Sequence, residues 1–104
     1  MSHQLLLKQD LSIARILRVY GKQFRQIKTL YSDEYDGRCA IGVVMSYFGW
    51  DGKFRSDASE SLQTALHALR DVGINGGRVI ELNDSGKTFE EIADYIDQNQ
   101  TIRD

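Results

Sequence analysis

Between Cys39 and Phe48 the chain carries ten residues of which only Ser46 has a polar side chain, and no other stretch is so apolar. A segment without a solvated face must be covered on all sides by the rest of the chain. It cannot be a surface amphipath, and it falls far short of the roughly 20 apolar residues that cross a bilayer. Periodicity alone does not separate helix from strand in such a run. Ile41, Val43 and Val44 favour a strand, and Asp51-Gly52 would suit a tight hairpin turn between 47–50 and 53–55. The length, and Gly49 in position to end a helix, favour a buried helix over 39–48. Gly42 would cost such a helix about 1 kcal/mol relative to alanine, which points to a second backbone passing close by.

Three amphipathic patterns are available to cover this centre. Ile13, Ile16, Leu17, Tyr20, Phe24, Ile27 and Tyr31 follow steps of three and four, predicting a helix over 12–31 with Asp10 or Ser12 as its cap. Arg15, Arg18, Lys22, Arg25 and Lys28 would then form an outward basic row. Ser56 and Asp57, with Glu60 as a capping-box partner, open a second helix over 58–72 whose inward residues are Ala58, Leu62, Ala65, Leu66, Leu69 and Val72. Gly73 should end it, with Ile74 folding back on Leu69. Thr88 and Glu91 form a capping box for a third helix over 88–97, facing inward through Phe89, Ile92, Ala93 and Ile96. Asn75-Gly76-Gly77 reads as a turn, and 78–83 is too short to assign.

The expected fold is therefore mainly α: a compact bundle of about four helices around a buried central helix, with a short extended segment or hairpin as the open alternative. The 104 residues fit one domain spanning 1–104, with 1–11 and 98–104 as flexible ends. A single cysteine excludes an internal disulfide framework, and Leu5–Leu7 is too short for a secretory signal core, so the expected setting is cytoplasmic.

Charge is unevenly spread. Residues 1–31 carry six Lys or Arg against Asp10 alone, whereas 32–104 carry seven against fourteen acids. The bland account is a basic first element that docks on an acidic remainder or simply faces solvent. The sharper one is a nucleic-acid surface built from Arg15, Arg18, Lys22, Arg25 and Lys28, although Tyr20 and Phe24 belong to the opposite stripe and supply no stacking platform.

Motifs of known chemistry fail on inspection. Asp33, Glu34 and Asp36 crowd one loop, but Tyr35 interrupts the alternation and Val43 stands where an EF-hand needs glutamate. Gly86-Lys87-Thr88 resembles the end of a P-loop, but Glu81 occupies the place of its first glycine. The 88–96 segment would suit the first helix of a helix-turn-helix, but too little chain follows to supply a recognition helix. Cys39 with His67 is the one nucleophile and base pairing to weigh, and a lone cysteine in an apolar run is usually inert packing. One Cys with His3 and His67 cannot complete a zinc site, so neither metal nor cofactor is expected.

Trp50, with Tyr47, Phe48 and Phe54, makes an aromatic cluster where the central segment leaves the core. Core packing explains it. A partly exposed Trp50 beside Asp51 would instead anchor a partner, so Trp50, Tyr47, Phe54 and Asp51 are the candidate contact residues.

Cys39-Ala40-Ile41-Gly42, together with Leu82-Asn83-Asp84-Ser85-Gly86-Lys87-Thr88-Phe89-Glu90-Glu91-Ile92-Ala93, resembles a family of small uncharacterised prokaryotic and phage proteins. They share C-A-x-G followed by N-D-x-G-x-[ST]-F-E-E-I-A. The resemblance spans 38–96 and implies a helical domain. It carries over no activity and no site residues. The expected function is a small binding or regulatory module acting on a protein partner or on a second copy of itself, without membrane association, rather than an enzyme. Nucleic-acid binding through the basic row and thiol chemistry at Cys39 are the alternatives.

Overall fold

The computed structural model describes residues 12–101. Among them lie five α-helices and one short pair of parallel strands, and the buried residues form a single apolar cluster. Ala40–Tyr47 is α2, the centre of that cluster, and all eight of its residues are buried. The alternative of a strand and hairpin is not adopted. Phe48 and Gly49 end the helix, Gly49 with φ of 110°, and the chain from 50 to 57 is irregular. Gly42 has the role its cost suggested: a Cβ there would strike the carbonyl oxygen of Tyr31, whose backbone crosses α2 at that point.

The first helix departs most from expectation. α1 spans Ile13–Val19, capped by Ser12, whose hydroxyl accepts the Arg15 N–H at 3.2 Å. The chain then tightens into a 3₁₀ turn at Tyr20–Gln23 and straightens at Phe24. Arg25–Gln26 is β1, paired in parallel with β2, Gly37–Arg38. The apolar stripe continued to Tyr31, yet tertiary hydrogen bonds won over a helix already weakened by Gly21. Arg25 N–H donates to Asp36 O at 2.8 Å and Ile27 N–H to Arg38 O at 2.9 Å. The Gln26 amide donates to Lys87 O at 2.7 Å, and its oxygen accepts the Phe89 N–H at 3.1 Å. Tyr20, Phe24 and Tyr31 still pack against the core, so the stripe marked burial correctly while misplacing the backbone.

α3, Ala58–Asp71, starts without the predicted capping box, since the Asp57 side chain makes no cap bond. Its end follows expectation: Gly73 has φ of 81° and Ile74 N–H donates to Leu69 O at 2.9 Å. The stretch left unassigned is a helix, α4, Gly76–Asp84, and the Asn75 turn is its cap, accepting Arg78 N–H at 3.2 Å. This is the fifth helix in place of about four. α5, Phe89–Asn99, carries the expected capping box, with Glu91 N–H to Thr88 Oγ1 at 3.1 Å and Thr88 N–H to Glu91 Oε1 at 2.9 Å. Thr101 N–H donates to Val72 O at 2.6 Å, tying the end of the described chain to α3. The expectations for residues 1–11 and 102–104 lie outside the described residues. No described helix is long and apolar enough to cross a membrane.

Candidate functional site

The side chain around which the surface loops are arranged is Arg38, a strand residue 4% exposed. Its Nε donates to Ser46 Oγ at 2.9 Å, and its Nη1 to Gly37 O at 2.8 Å and Tyr35 O at 3.0 Å. No described carboxylate forms an ion pair with it. The guanidinium is instead held between aromatic rings, 4.6 Å from the Phe24 centroid and 5.6 Å from that of Trp50. Burial lowers its pKa, and the more distant Asp33, Asp36 and Asp51 oppose that shift. Gly52 must be glycine for this packing, because a Cβ there would overlap Nη2. Ser32, fully buried, links the two loops by donating to Gly52 O at 2.6 Å and accepting Glu34 N–H at 2.7 Å.

Ring contacts extend from Arg38 in both directions. On one side Phe24 meets Tyr20 at 5.7 Å, Tyr20 meets Tyr47 at 5.5 Å, and Tyr47 meets Phe48 at 5.2 Å. On the other, Trp50 meets Phe54 at 5.8 Å. The interior members Tyr47 and Trp50 are each 5% exposed, while the end members Phe48 and Phe54 are 47% and 52% exposed. Trp50 therefore packs in the core with its indole N–H donating to Lys53 O at 2.9 Å. Of the candidate contact residues, Phe54 and Asp51 reach the surface, and Asp51 accepts Lys53 N–H at 3.0 Å and pairs with Arg55 at 3.4 Å. Phe24, Tyr20 and Arg38 were not singled out from the sequence as parts of this arc. The signal available for Arg38 was a cation abutting a run that must be buried.

The basic row does not form one face. Arg15 and Arg18 lie on α1, Lys22 in the 3₁₀ turn, Arg25 in β1 and Lys28 in the loop beyond it. Arg18 is gripped by three α5 carboxylates, Glu90 at 2.7 Å, Asp94 at 2.5 Å and Asp97 at 2.7 Å, which raise its pKa further. Arg25 is paired with Asp33 and, at 3.5 Å, with Asp36. Arg15, Lys22 and Lys28 remain exposed.

Cys39 caps α2, its sulfur accepting Gly42 N–H at 3.4 Å. Burial pushes the thiol pKa up, with only partial opposition from the backbone amides. It borders a cavity of about 120 Å³ with Thr29, Tyr31, Ile80, Asn83 and Asp84, whereas His67 lines a separate cleft on α3. The two are not brought together. No group of three or more His, Cys, Asp or Glu among the described residues is placed to hold a metal ion.

The two segments that carry the family resemblance do meet, and their meeting is structural. Asn83, 1% exposed, accepts from Ala40 N–H at 3.0 Å and from the Gln26 amide at 2.9 Å, and donates to Ile27 O at 2.8 Å. Asp84 accepts the N–H of Thr29 at 2.8 Å, where φ is 66°, and Gly86 closes α4 with φ of 104°. Comparison with protein-family models, with curated proteins and with solved structures finds no match for this chain.

Proposed function

We propose that this chain is a small binding module that docks a protein partner on the aromatic arc between Phe48 and Phe54. The observation that carries this reading is the ring sequence itself. Tyr47 and Trp50 are buried, Arg38 sits against Phe24 and Trp50, and Phe48 and Phe54, the two ends of the arc, stand half-exposed. Rigid aromatic side chains lose little entropy on association, which is why such groups dominate interface energetics. Asp51 lies beside Trp50 and Phe54 as a polar rim. The single free thiol supports a cytoplasmic setting, and the kinship drawn from the C-A-x-G and N-D-x-G segments rests on those residues. The other two readings have less support. Arg18 and Arg25 are engaged by carboxylates, and the Cys39 thiol is buried and without a histidine.

The test is site-specific photo-crosslinking in the native cells. A photoreactive phenylalanine analogue is placed at 48, at 54, and at the exposed control position 59. Discrete adducts at 48 and 54, absent at 59 and lost when Phe54→Ser is introduced beside the probe at 48, are the expected result. Equal patterns at all three positions, or none at 48 and 54, would overturn the reading.

A further inference from the structure

Arg38 has one nitrogen to spare. Its Nε donates to Ser46 Oγ and its Nη1 to Gly37 O and Tyr35 O, with a longer contact of 3.4 Å to Ser32 Oγ, whereas Nη2 donates to no described residue. The residue is 4% exposed, and Nη2 itself is not wholly enclosed. We propose that Arg38 Nη2 anchors an acidic side chain of the protein partner, which enters beside Gly52 while a neighbouring apolar residue of the partner covers Phe54. This rests on the docking surface argued above and adds the chemistry of what docks there.

A guanidinium in this setting calls for an anion. The acids whose charge reaches it are engaged elsewhere, Asp33 and Asp36 on Arg25, and Asp51 on Arg55 and the Lys53 N–H. Withdrawing a cation from water is costly when no counter-charge replaces the solvent, and a carboxylate that arrives there is screened less than at an exposed lysine or arginine. A hydrogen bond between two charged groups is also roughly twice as strong as a neutral one. The bonds from Nε and Nη1, with the Phe24 and Trp50 rings against the guanidinium, orient the planar fork beforehand, so little side-chain freedom remains to be lost on binding. Position agrees with the docking surface. A Cβ at Gly52 would overlap Nη2, so this nitrogen lies against glycine backbone two positions before Phe54, and no side chain at 52 covers it.

The experiment is an NMR titration of the ¹⁵N-labelled full chain, read at the arginine side chains and the backbone amides, at constant pH and ionic strength. The probes are two capped dipeptides of the same shape, aspartyl-phenylalanine and asparaginyl-phenylalanine, so the comparison is made on one folded protein and needs no variant at Arg38. The acidic probe should give saturable shifts at the Arg38 guanidinium, the Gly52 amide and Phe54, and should bind roughly tenfold tighter than the neutral one, as one charge-assisted contact implies. Equal affinity for the two probes, with Phe54 shifted and Arg38 unmoved, overturns the carboxylate anchor and leaves the docking surface in place. Acid-dependent shifts centred on the exposed Arg15, Lys22 or Lys53 instead of Arg38 overturn it as well. So does the absence of a saturable response to either probe, and crosslinking at 48 and 54 then decides the docking surface separately.

Discussion

The side-chain oxygen of Asn83 accepts the backbone N–H of Ala40 at 3.0 Å, so the first amide of the central helix is satisfied by a residue 43 positions away. Helix N-termini expose amides that need partners, and inside a core water is not available to supply them. Cys39 caps Gly42 locally, and Asn83 completes the cap from α4 while also holding the strand through Ile27 O and Gln26.

Asn83→Ala would leave the buried Ala40 N–H and the partly buried Ile27 O without these partners. At about 1–3 kcal/mol for each unsatisfied group, a loss of roughly 3 kcal/mol in unfolding free energy is expected. Asn83→Asp keeps the acceptor but turns a second oxygen toward Ile27 O, and should not restore stability. Urea denaturation measures both. A loss under about 0.5 kcal/mol for the alanine variant would mean that Asn83 is not the joint between these segments.

Gly42 and Gly49 make a paired test of close approach against backbone conformation. Alanine at 42 should gain about 1 kcal/mol of helix propensity, but its Cβ meets a carbonyl oxygen that cannot yield without moving the Tyr31 backbone. The net expectation is a loss of at least about 3 kcal/mol, or failure to fold. Gly49→Ala meets open space, and only its φ of 110° opposes the change, so about 1–2 kcal/mol is expected. Comparable losses at both positions would remove the crossing of Tyr31 over α2 as the reason for Gly42.

What the sequence made legible follows from how local each cause is. The Thr88–Glu91 box and the Gly73–Ile74 ending are settled by residues a few positions apart, and both form as read. The burial of 40–47 was equally plain, because no solvated side was on offer. The end of α1 was not, since the hydrogen bonds that extend Arg25–Ile27 come from Asp36 and Arg38, beyond a loop. α4 escaped because its inward face is completed by Asn83, a polar residue that no apolar pattern counts. The aromatic cluster was visible as composition. Its exposure was not, because Trp50, the residue that promised a surface anchor, is drawn inward by Lys53 O and Arg38, leaving Phe54 outside.

Arg38 is a cation in the core without a bonded carboxylate, and its replacements should rank by shape and donor geometry rather than charge. Arg38→Ala leaves the carbonyls of Tyr35 and Gly37 and the Ser46 hydroxyl short of a donor, and opens a void between Phe24 and Trp50. A loss of about 3–5 kcal/mol is expected. Lysine keeps the charge but cannot reach three directions with a planar fork, and should recover little. Methionine fills the volume and removes the buried charge, so it should be less damaging than alanine. Thermal denaturation ranks the three, and a lysine variant equal to wild type would show that charge alone is what the site requires.

Asp33 gives the loop before β2 a pH dependence whose sign can be worked out. Its carboxylate accepts Tyr35 N–H at 3.0 Å and Gly37 N–H at 3.0 Å and pairs with Arg25. These interactions, the Tyr35 amide foremost, hold its pKa below the ordinary value despite some desolvation. A carboxylate with a depressed folded pKa adds stability that is fully present above its unfolded pKa, about 3.9, and is lost as pH falls through the folded value. Wild type should therefore lose stability on acidification below about pH 4 more steeply than Asp33→Asn. The difference between the two should be largest near neutrality and vanish at the acid end. The loop amides of Tyr35 and Gly37 should report the same titration by NMR. Parallel stability curves for the two proteins between neutral pH and about pH 2 would mean that the Asp33 charge contributes nothing to holding this loop against Arg38.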